Sequence, residues 1–396
     1  MIEESFKGTL AAKGFDEALM RLKPSPQVEE EPGQFWKDFI RETAPEFKKS
    51  TTDQLETLIK PIWSELIDGS TYVNDRLASI FESVNPDVIV QDNVVAFGAV
   101  LTAGRPWVRI VSCNPLEIPD PNLPPVFSGL PTAERAGWER FRQLYADLHA
   151  GLHRDFDAFL RDHGCPPLPF GQFMYESPSL NLYNYPSELD YERSRALGPT
   201  WQRLESSVRA TDGAFALPEG ADGHKRIYLS LGSLGSADSE LMGRLIEVLG
   251  RTDYRVIVSM GPQHEELHLA GNMVGAEFLP QTSVLPLVDV VITHGGNNTV
   301  TECLHFGRPM IVLPLFWDQH DNAQRVHETG FGVRLDPYRF RDDELLDWID
   351  RLAGDQALSG RLKTISRRLQ ATPGTVRAAE LIEALARSRQ PSAARP

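Results

Sequence analysis

This 396-residue sequence has few cysteines, no excess of basic residues and no long apolar run. It has only three cysteines, Cys113, Cys165 and Cys303, which are too far apart to form a disulfide framework or a zinc-ligand pattern. Its 40 basic residues are outnumbered by 55 acidic residues, and this net charge of -15 argues against a nucleic-acid partner. No apolar run reaches membrane-spanning length, and the chain does not open with a signal-peptide pattern. We therefore predict a cytoplasmic protein with no stable membrane insertion.

Short apolar segments alternate with helical patterns along most of the chain. In the N-terminal half the predicted strands are residues 86–92, 107–113 and 179–186. In the C-terminal half they are residues 226–233, 254–261, 276–281, 287–296 and 308–315. Such alternation is typical of parallel sheets with helices on both faces, so we predict an α/β fold. The length indicates two domains, placed at residues 1–200 and 226–370, with a linker at 201–225 and a C-terminal helix and tail at 371–396.

The segment from His294 to Glu302 carries the strongest chemical signal in the sequence. An apolar strand leads through a histidine and two glycines directly into a helix that begins near Asn297. In an open α/β sheet, ligands bind at the carboxyl ends of the strands, and the free amides of a helix N-terminus attract phosphate. We therefore predict a diphosphate site at this junction. A local alternative is that Thr299 and Glu302 form a capping box that only stabilises the helix.

The stretch from Phe278 to Arg325 resembles the nucleotide-binding signature of the family 1 UDP-glycosyltransferases, in particular their bacterial macrolide and natural-product branch. The matching pieces are Pro280-Gln281, His294 to Glu302, Gly307 to Pro309 and Asp318-Gln319. The resemblance implies the GT-B arrangement, in which two Rossmann-like domains with parallel sheets face each other across a cleft. The N-terminal domain would then bind the acceptor, and the C-terminal domain would bind the nucleotide sugar.

The same resemblance implies roles for individual residues. Phe278 would stack on the base of a UDP- or dTDP-sugar, Gln281 would lie near the base or ribose, and Glu302 would accept hydrogen bonds from the ribose. The residues implied as diphosphate contacts are Ser233, His294, Gly296, Asn298 and Thr299. The residues implied as donor-sugar contacts are Asp318 and Gln319. Because helix amides and side chains neutralise the diphosphate in this family, no metal and no cofactor is expected.

The N-terminal half departs from the family pattern at one catalytic position. In the family, a histidine near the first strand deprotonates the acceptor hydroxyl, and an aspartate at the end of a later strand orients that histidine. Asp92 matches the aspartate, whereas every histidine of this chain lies at or after His149. An acid that merely ends a strand is the alternative interpretation of Asp92. We therefore expect the N-terminal domain to be incomplete, lacking its first strand-helix-strand unit, and sugar transfer by this chain to be slow.

Together these features predict an inverting glycosyltransferase that moves a hexosyl group from a UDP- or dTDP-sugar to a hydroxyl of a small lipophilic acceptor. Two alternatives remain at this stage: a non-hydrolysing UDP-N-acetylglucosamine epimerase, and a non-catalytic protein that binds sugar nucleotides. Some aromatic residues of the N-terminal half are candidates for lining an acceptor pocket, although most of them fit a core equally well. These candidates are Trp36, Phe39, Trp63, Trp107, Phe127, Trp138, Phe170 and Phe173. The sequence leaves the oligomeric state open.

Overall fold

The computed structural model describes residues 1–24, 38, 42–209, 213–217, 223–236 and 238–388, apart from the side chains of Ser233 and Leu234. The strands in these ranges are β1 (Ile2–Glu3), β2 (Leu19–Met20), β3 (Ile89–Asp92), β4 (Trp107–Val111), β5 (Leu180–Tyr183), β6 (Trp201–Arg203), β7 (Arg226–Ser230), β8 (Arg255–Ser259), β9 (Met273–Ala276), β10 (Val290–Thr293), β11 (Met310–Val312) and β12 (Gly332–Arg334).

The α-helices alternate with these strands. They are α1 (Thr51–Gln54), α2 (Lys60–Val84), α3 (Gly98–Thr102), α4 (Trp138–Asp162), α5 (Gly232–Gly235), α6 (Ser239–Gly250), α7 (Gln281–Val284), α8 (Asn297–His305), α9 (Gln319–Thr329), α10 (Asp342–Gly354), α11 (Gln356–Ala371) and α12 (Gly374–Arg387). A π-helical turn, Leu55–Ile59, joins α1 to α2. Among the described residues, no helix is both long and apolar enough to span a membrane.

Each half of the chain is built on its own parallel sheet. In the N-terminal half the strand order is β3-β4-β5-β6, and in the C-terminal half it is β12-β11-β10-β7-β8-β9. The central strand β10 is buried along its whole length, as expected for a parallel strand covered by helices on both faces. The order of the C-terminal sheet reverses between β7 and β10, and crevices that bind ligands form at such a reversal.

The structure confirms the α/β fold and differs from the predicted elements in several places. The two-stranded parallel sheet β1-β2 near the start of the chain was not predicted. Strand β6 pairs with β5 and so extends the N-terminal sheet into the segment assigned to the linker. Strand β12 is a short edge strand that the sequence pattern did not reveal. The strand predicted at 276–281 ends at Ala276, and helix α7 begins at Gln281. The domain boundaries drawn from the sequence remain a prediction.

The C-terminal helix α12 returns to the N-terminal half. Its apolar side chains pack against β4, β5 and the residue that follows β6; the core residues of this cluster are Val108, Leu180, Leu182 and Leu204. The amide of Gly374 donates to the carbonyl of Ser206 at 2.7 Å. A Cβ at position 374 would lie 2.2 Å from the Leu204 carbonyl oxygen, so this close approach requires glycine. The two halves are therefore joined by α12 as well as by the chain between the sheets.

Candidate active site

The turn between β10 and α8 forms the centre of the site. Gly295 has a φ of +90°, and a Cβ there would lie 2.6 Å from a methyl carbon of Val312. Glycine is therefore required at this position, both by backbone conformation and by space. Helix α8 begins after Gly296, which is its N-cap. The free amides of the first helical turn give this end of the helix a partial positive charge, suited to an anion.

A polar pocket of about 400 Å³ opens at this turn. Seven of the residues predicted from the sequence line it: Phe278, Gln281, His294, Gly296, Asn298, Thr299 and Glu302. They come from α7, α8, the turn before α8 and the segment after β9. Phe278 is 56 % exposed, which leaves its ring free to stack on a flat group entering the pocket. The structure thus places the part of the predicted signature from Phe278 to Glu302 around a single cavity.

His294 is packed between two glycines. A Cβ at Gly232 would lie 2.6 Å from His294 Cε1, and a Cβ at Gly296 would lie 2.6 Å from Nε2. Burial lowers the pKa of His294 to about 4, so the imidazole is neutral at pH 7. A neutral imidazole carries one N–H and can donate a hydrogen bond to a phosphate oxygen.

Glu302 belongs to a hydrogen-bonded group beside this imidazole. Gln281 Nε2 donates to Glu302 Oε2 at 2.6 Å and to Thr299 Oγ1 at 3.2 Å, while the hydroxyl of Tyr228 donates to Gln281 Oε1 at 3.2 Å. Burial raises the pKa of Glu302, with the bond from Gln281 opposing that rise. Helix α8 has Gly296 as N-cap and no side-chain cap among the described residues, so the capping-box alternative is wrong.

The sequence analysis missed several pocket residues. They are Arg209, Tyr228, Ser230, Gly232, Ser259, Gly261, Leu279 and Asn297. Ser230 and Ser259 end strands β7 and β8, so the rule that ligands bind at the carboxyl ends of parallel strands would have found them. Arg209 lies in a polar segment with no motif, and only the tertiary structure brings its charge close to Glu302.

Three predicted residues are not placed at the pocket. The side chain of Ser233 lies outside the described residues. Asp318 and Gln319 are buried and are not among the described residues that line the pocket. Asp318 Oδ2 accepts from the amide of Asn114 at 2.8 Å, and Gln319 Oε1 accepts from the amide of Leu315 at 3.0 Å. Burial raises the pKa of Asp318 to about 7. Their role at the donor sugar stays a prediction.

Asp92 connects the N-terminal sheet to the pocket. It ends β3, and its Oδ1 accepts a hydrogen bond from Ser112 Oγ at 2.8 Å. The carbonyl of the same Ser112 accepts from Asn297 Nδ2, also at 2.8 Å, and Asn297 lines the pocket. Burial raises the pKa of Asp92 above its ordinary value of 3.8, while the bond from Ser112 lowers it. Ser112 thus links the carboxyl group of Asp92 to Asn297 in the polar pocket.

A second cavity, of about 390 Å³, lies in the N-terminal half. Its walls are mostly apolar, and four of the aromatic candidates line it: Trp63, Phe127, Phe170 and Phe173. Trp107 and Trp138 are buried in the packed interior instead, and Trp36 and Phe39 lie outside the described residues. Cavities of roughly 300–1,000 Å³ with apolar walls are typical of small-molecule sites.

The described residues contain no group of three or more histidine, cysteine, aspartate or glutamate side chains able to hold a metal ion. Cys113, Cys165 and Cys303 are free thiols. For Cys165 and Cys303, burial raises the pKa of the thiol, which makes the reactive thiolate scarce.

Comparison with known proteins agrees with this geometry. Residues 243–385 match the family described as erythromycin biosynthesis protein CIII-like, C-terminal domain. The chain is 25% identical over 333 residues to the NDP-glycosyltransferase YjiC of Bacillus subtilis (strain 168), covering 81% of this chain and 78% of that protein. It is 26% identical over 342 residues to the oleandomycin glycosyltransferase of Streptomyces antibioticus, covering 81% of this chain and 75% of the relative.

Solved structures show the same fold. The glycosyltransferase of kitacinnamycin has a TM-score of 0.65 and 24% identity, with 82% of each chain covered. The calicheamicin glycosyltransferase CalG4 has a TM-score of 0.63 and 18% identity, with 85% of this chain and 82% of that chain covered. These relatives are sugar transferases, so neither the epimerase nor the non-catalytic binding protein is favoured. Over most of its length the chain is thus similar to known glycosyltransferases, it has their GT-B fold, and residues 243–385 match the erythromycin biosynthesis protein CIII-like C-terminal domain.

Proposed function

We propose that this chain transfers a hexosyl group, with inversion, from a UDP- or dTDP-sugar to a hydroxyl of a small lipophilic acceptor. The observation that carries the proposal is the pairing of two cavities: a polar one at the β10–α8 turn and an apolar one in the N-terminal half. Asp92 ends β3, Ser112 follows β4, and the two connect to the polar pocket through Asn297. Donor and acceptor would therefore meet near the carboxyl end of β3.

In this proposal the polar pocket holds the nucleotide. The exposed ring of Phe278 stacks on the base, Glu302 accepts from the ribose hydroxyls, and His294 donates to the diphosphate. The amides at the start of α8 face the same phosphate oxygens. Because these donors are fixed before the donor binds, they stabilise the charge that develops on the leaving diphosphate without reorganising. Asp318 and Gln319 would contact the donor sugar while Asp318 Oδ2 keeps its bond from the Asn114 amide.

Sugar transfer then proceeds as a single displacement. The acceptor oxygen forms a bond to the anomeric carbon while the bond from that carbon to the diphosphate oxygen breaks, which inverts the configuration. The hydroxyl proton leaves toward the carboxylate of Asp92, and the nucleoside diphosphate departs with the bonding electron pair. Among the described residues, no histidine hydrogen-bonds to Asp92, so we assign the handling of this proton to the carboxyl itself. A carboxylate is a weaker base than the histidine of the family pattern, which agrees with the slow transfer expected from the sequence.

The acceptor class follows from the apolar cavity and from the relatives. The walls of the cavity combine aromatic rings with proline and valine side chains, which favours a flat or largely apolar molecule. Named relatives include a zeaxanthin glucosyltransferase of Pseudescherichia vulneris, 26% identical over 343 residues, covering 78% of this chain and 76% of that protein. Together with the oleandomycin enzyme, this relative supports a lipophilic acceptor.

The test of the proposed function is direct. The protein is incubated with UDP-glucose or dTDP-glucose and a panel of a flavonol, a macrolide and a carotenoid diol, and the products are identified by mass. A product heavier by one hexosyl group supports the proposal. Nucleotide binding without transfer to any acceptor would support the non-catalytic alternative, and conversion of UDP-N-acetylglucosamine without an acceptor would support the epimerase.

We expect UDP or dTDP to bind without a divalent metal, because the helix amides and His294 stabilise the diphosphate charge that a metal ion would otherwise stabilise. Isothermal titration calorimetry in the presence of EDTA measures this. The dissociation constant should be the same in EDTA and in added Mg²⁺. Binding that disappears in EDTA and returns with Mg²⁺ would contradict the metal-free site.

Replacing Glu302 by alanine should weaken nucleotide binding by about 1–3 kcal/mol, because ribose hydroxyls would lose a buried acceptor. Glu247→Ala, an exposed glutamate on α6, is the matched control. Inorganic pyrophosphate has no ribose, so its own affinity should be the same for the parent protein and for Glu302→Ala. Unchanged nucleotide affinity in a variant that melts normally would remove Glu302 from the ribose site.

A further inference from the structure

The apolar cavity is closed on one side by the segment from Asn114 to Leu130. This segment, which we call the acceptor loop, contributes nine of the residues that line the cavity: Leu116, Glu117, Pro119, Asp120, Pro121, Pro124, Pro125, Val126 and Phe127. It contains only a short 3-10 turn, Pro115–Glu117, and otherwise lacks regular structure within the described residues. Its shape therefore depends on bonds to other parts of the chain.

Asp321 on α9 holds the far end of the acceptor loop. Its Oδ2 accepts from the amide of Phe127 at 2.6 Å, and its Oδ1 accepts from the amide of Gly129 at 2.8 Å. Asp321 is only 2 % exposed, so both bonds are shielded from water. Arg334 at the end of β12 adds a bond from Nη1 to the carbonyl of Gly129 at 2.7 Å.

The backbone that Asp321 holds is strained. Phe127 has a φ of +69°, a region that side chains with a Cβ rarely adopt, at a cost of roughly 1–3 kcal/mol. The hydrogen bond that the Phe127 amide donates to the buried Asp321 side chain can maintain this conformation. The ring of Phe127 then lines the cavity and packs on Trp317, with ring centroids 4.4 Å apart. Trp317 itself belongs to the C-terminal half, directly before Asp318.

The near end of the acceptor loop is held from the same helix. The amide of Asn114 donates to Asp318 Oδ2, and Asn114 Nδ2 donates to Asn322 Oδ1, both at 2.8 Å. Asn322 Nδ2 donates in turn to the carbonyl of Gly295 in the nucleotide-binding turn at 2.9 Å. Helix α9 therefore contacts both ends of the acceptor loop and the turn at the polar pocket.

We propose that Asp321 is a positioning residue for the acceptor: from the nucleotide-binding half, it sets the shape of the apolar cavity by fixing Phe127 and Gly129. This inference rests on the proposed function, because it takes the apolar cavity as the acceptor site. It also means that acceptor selectivity depends on a residue of α9 that does not line the cavity.

Asp321→Asn tests the proposal, because the amide keeps the size of the side chain but replaces one acceptor by a donor. We expect the KM for a flavonol acceptor to rise by about tenfold or more, since at least one loop amide loses its partner. The dissociation constant for UDP should change by less than about twofold, because Asp321 does not line the polar pocket. Asp347→Asn, an exposed aspartate on α10, is the control.

Two further measurements separate positioning from a general loss of structure. Hydrogen exchange should show faster exchange of the Phe127 and Gly129 amides in Asp321→Asn, while β7 and β10 stay protected. If Asp321→Asn does not fold, Glu328→Gln tests whether α9 positions the chain at this end of the cavity, because Glu328 accepts from the amide and hydroxyl of Thr132, two residues beyond the acceptor loop. We then expect an acceptor KM raised in the same direction.

The outcomes distinguish this inference from the proposed function. Phe173→Ala enlarges the cavity and changes no residue of α9, so its effect on the acceptor KM measures the contribution of the cavity alone. An acceptor KM that responds to Phe173→Ala but to neither Asp321→Asn nor Glu328→Gln would overturn the positioning role only. An acceptor KM that responds to none of these variants would show that the cavity is not the acceptor site, and the proposed function would fail at that point.

Discussion

Asp92→Asn is expected to lower kcat for sugar transfer by about 10² to 10⁴, the usual contribution of general-base assistance. The carboxylate ends β3 and reaches the nucleotide pocket through Ser112 and Asn297. Asparagine keeps the shape and can still accept from Ser112, but it cannot take a proton. The affinity for UDP should stay within about twofold, because Asp92 does not line the polar pocket.

The pH dependence of kcat provides a second test of Asp92. Burial raises the pKa of this carboxyl above 3.8, and the hydrogen bond from Ser112 lowers it. A base acts only when ionised, so kcat should fall as the pH decreases through this raised pKa. Ser112→Ala removes the bond that favours the carboxylate, and should therefore move the acidic limb to higher pH. An unchanged kcat in Asp92→Asn would show that another group accepts the proton.

Gly232→Ala should weaken UDP binding by about 10- to 100-fold, which corresponds to roughly 1.4–2.8 kcal/mol. Gly232 has a φ of +72°, and its new methyl group would lie 2.6 Å from His294 Cε1. The imidazole must move away from the position in which it faces the diphosphate. The backbone conformation adds a cost of roughly 1–2 kcal/mol to folding for a residue with a Cβ. Calorimetry and thermal melting measure the two effects separately.

Gly243→Ala is the control for Gly232→Ala. A Cβ at Gly243, on helix α6, meets nothing within 4 Å, so alanine there should stabilise the helix by up to about 1 kcal/mol and leave UDP binding unchanged. Adding His294→Ala to Gly232→Ala removes the clash, so the two changes should not be additive in stability. Full UDP affinity in Gly232→Ala would mean that His294 does not contact the diphosphate.

Seven residues predicted from the sequence line the polar pocket together because they are close to one another along the chain. His294 to Glu302 run through one strand-turn-helix junction, and Phe278 and Gln281 lie one short connection earlier. In such a unit, the parallel sheet and the helix N-terminus place neighbouring residues on one side of the pocket. The fold was predictable for a similar reason, since alternation of strands and helices is a local pattern that implies a parallel sheet.

The groups that come from distant parts of the chain could not be predicted in this way. Arg209 has no motif around it, and only the meeting of the two halves brings Ser112, the hydrogen-bond partner of Asp92, to Asn297 in the pocket. Strand β6 consists of three residues, too few for a periodic pattern, and its pairing with β5 gives it its structure. The capping-box interpretation of Thr299 and Glu302 failed because Gln281, which is 18 and 21 residues away, takes both side chains as partners.

By itself, then, the sequence determined the α/β class, the β10–α8 turn and the grouping of residues around that turn, because these depend on hydrophobic alternation and on interactions within a few residues. Only the tertiary structure decided how the acceptor loop is held. Asp318 and Asp321 are more than 190 residues from the amides they accept from. Their burial at the contact between the halves raises the pKa of each carboxyl to about 7, a consequence of desolvation that no local pattern in the sequence encodes.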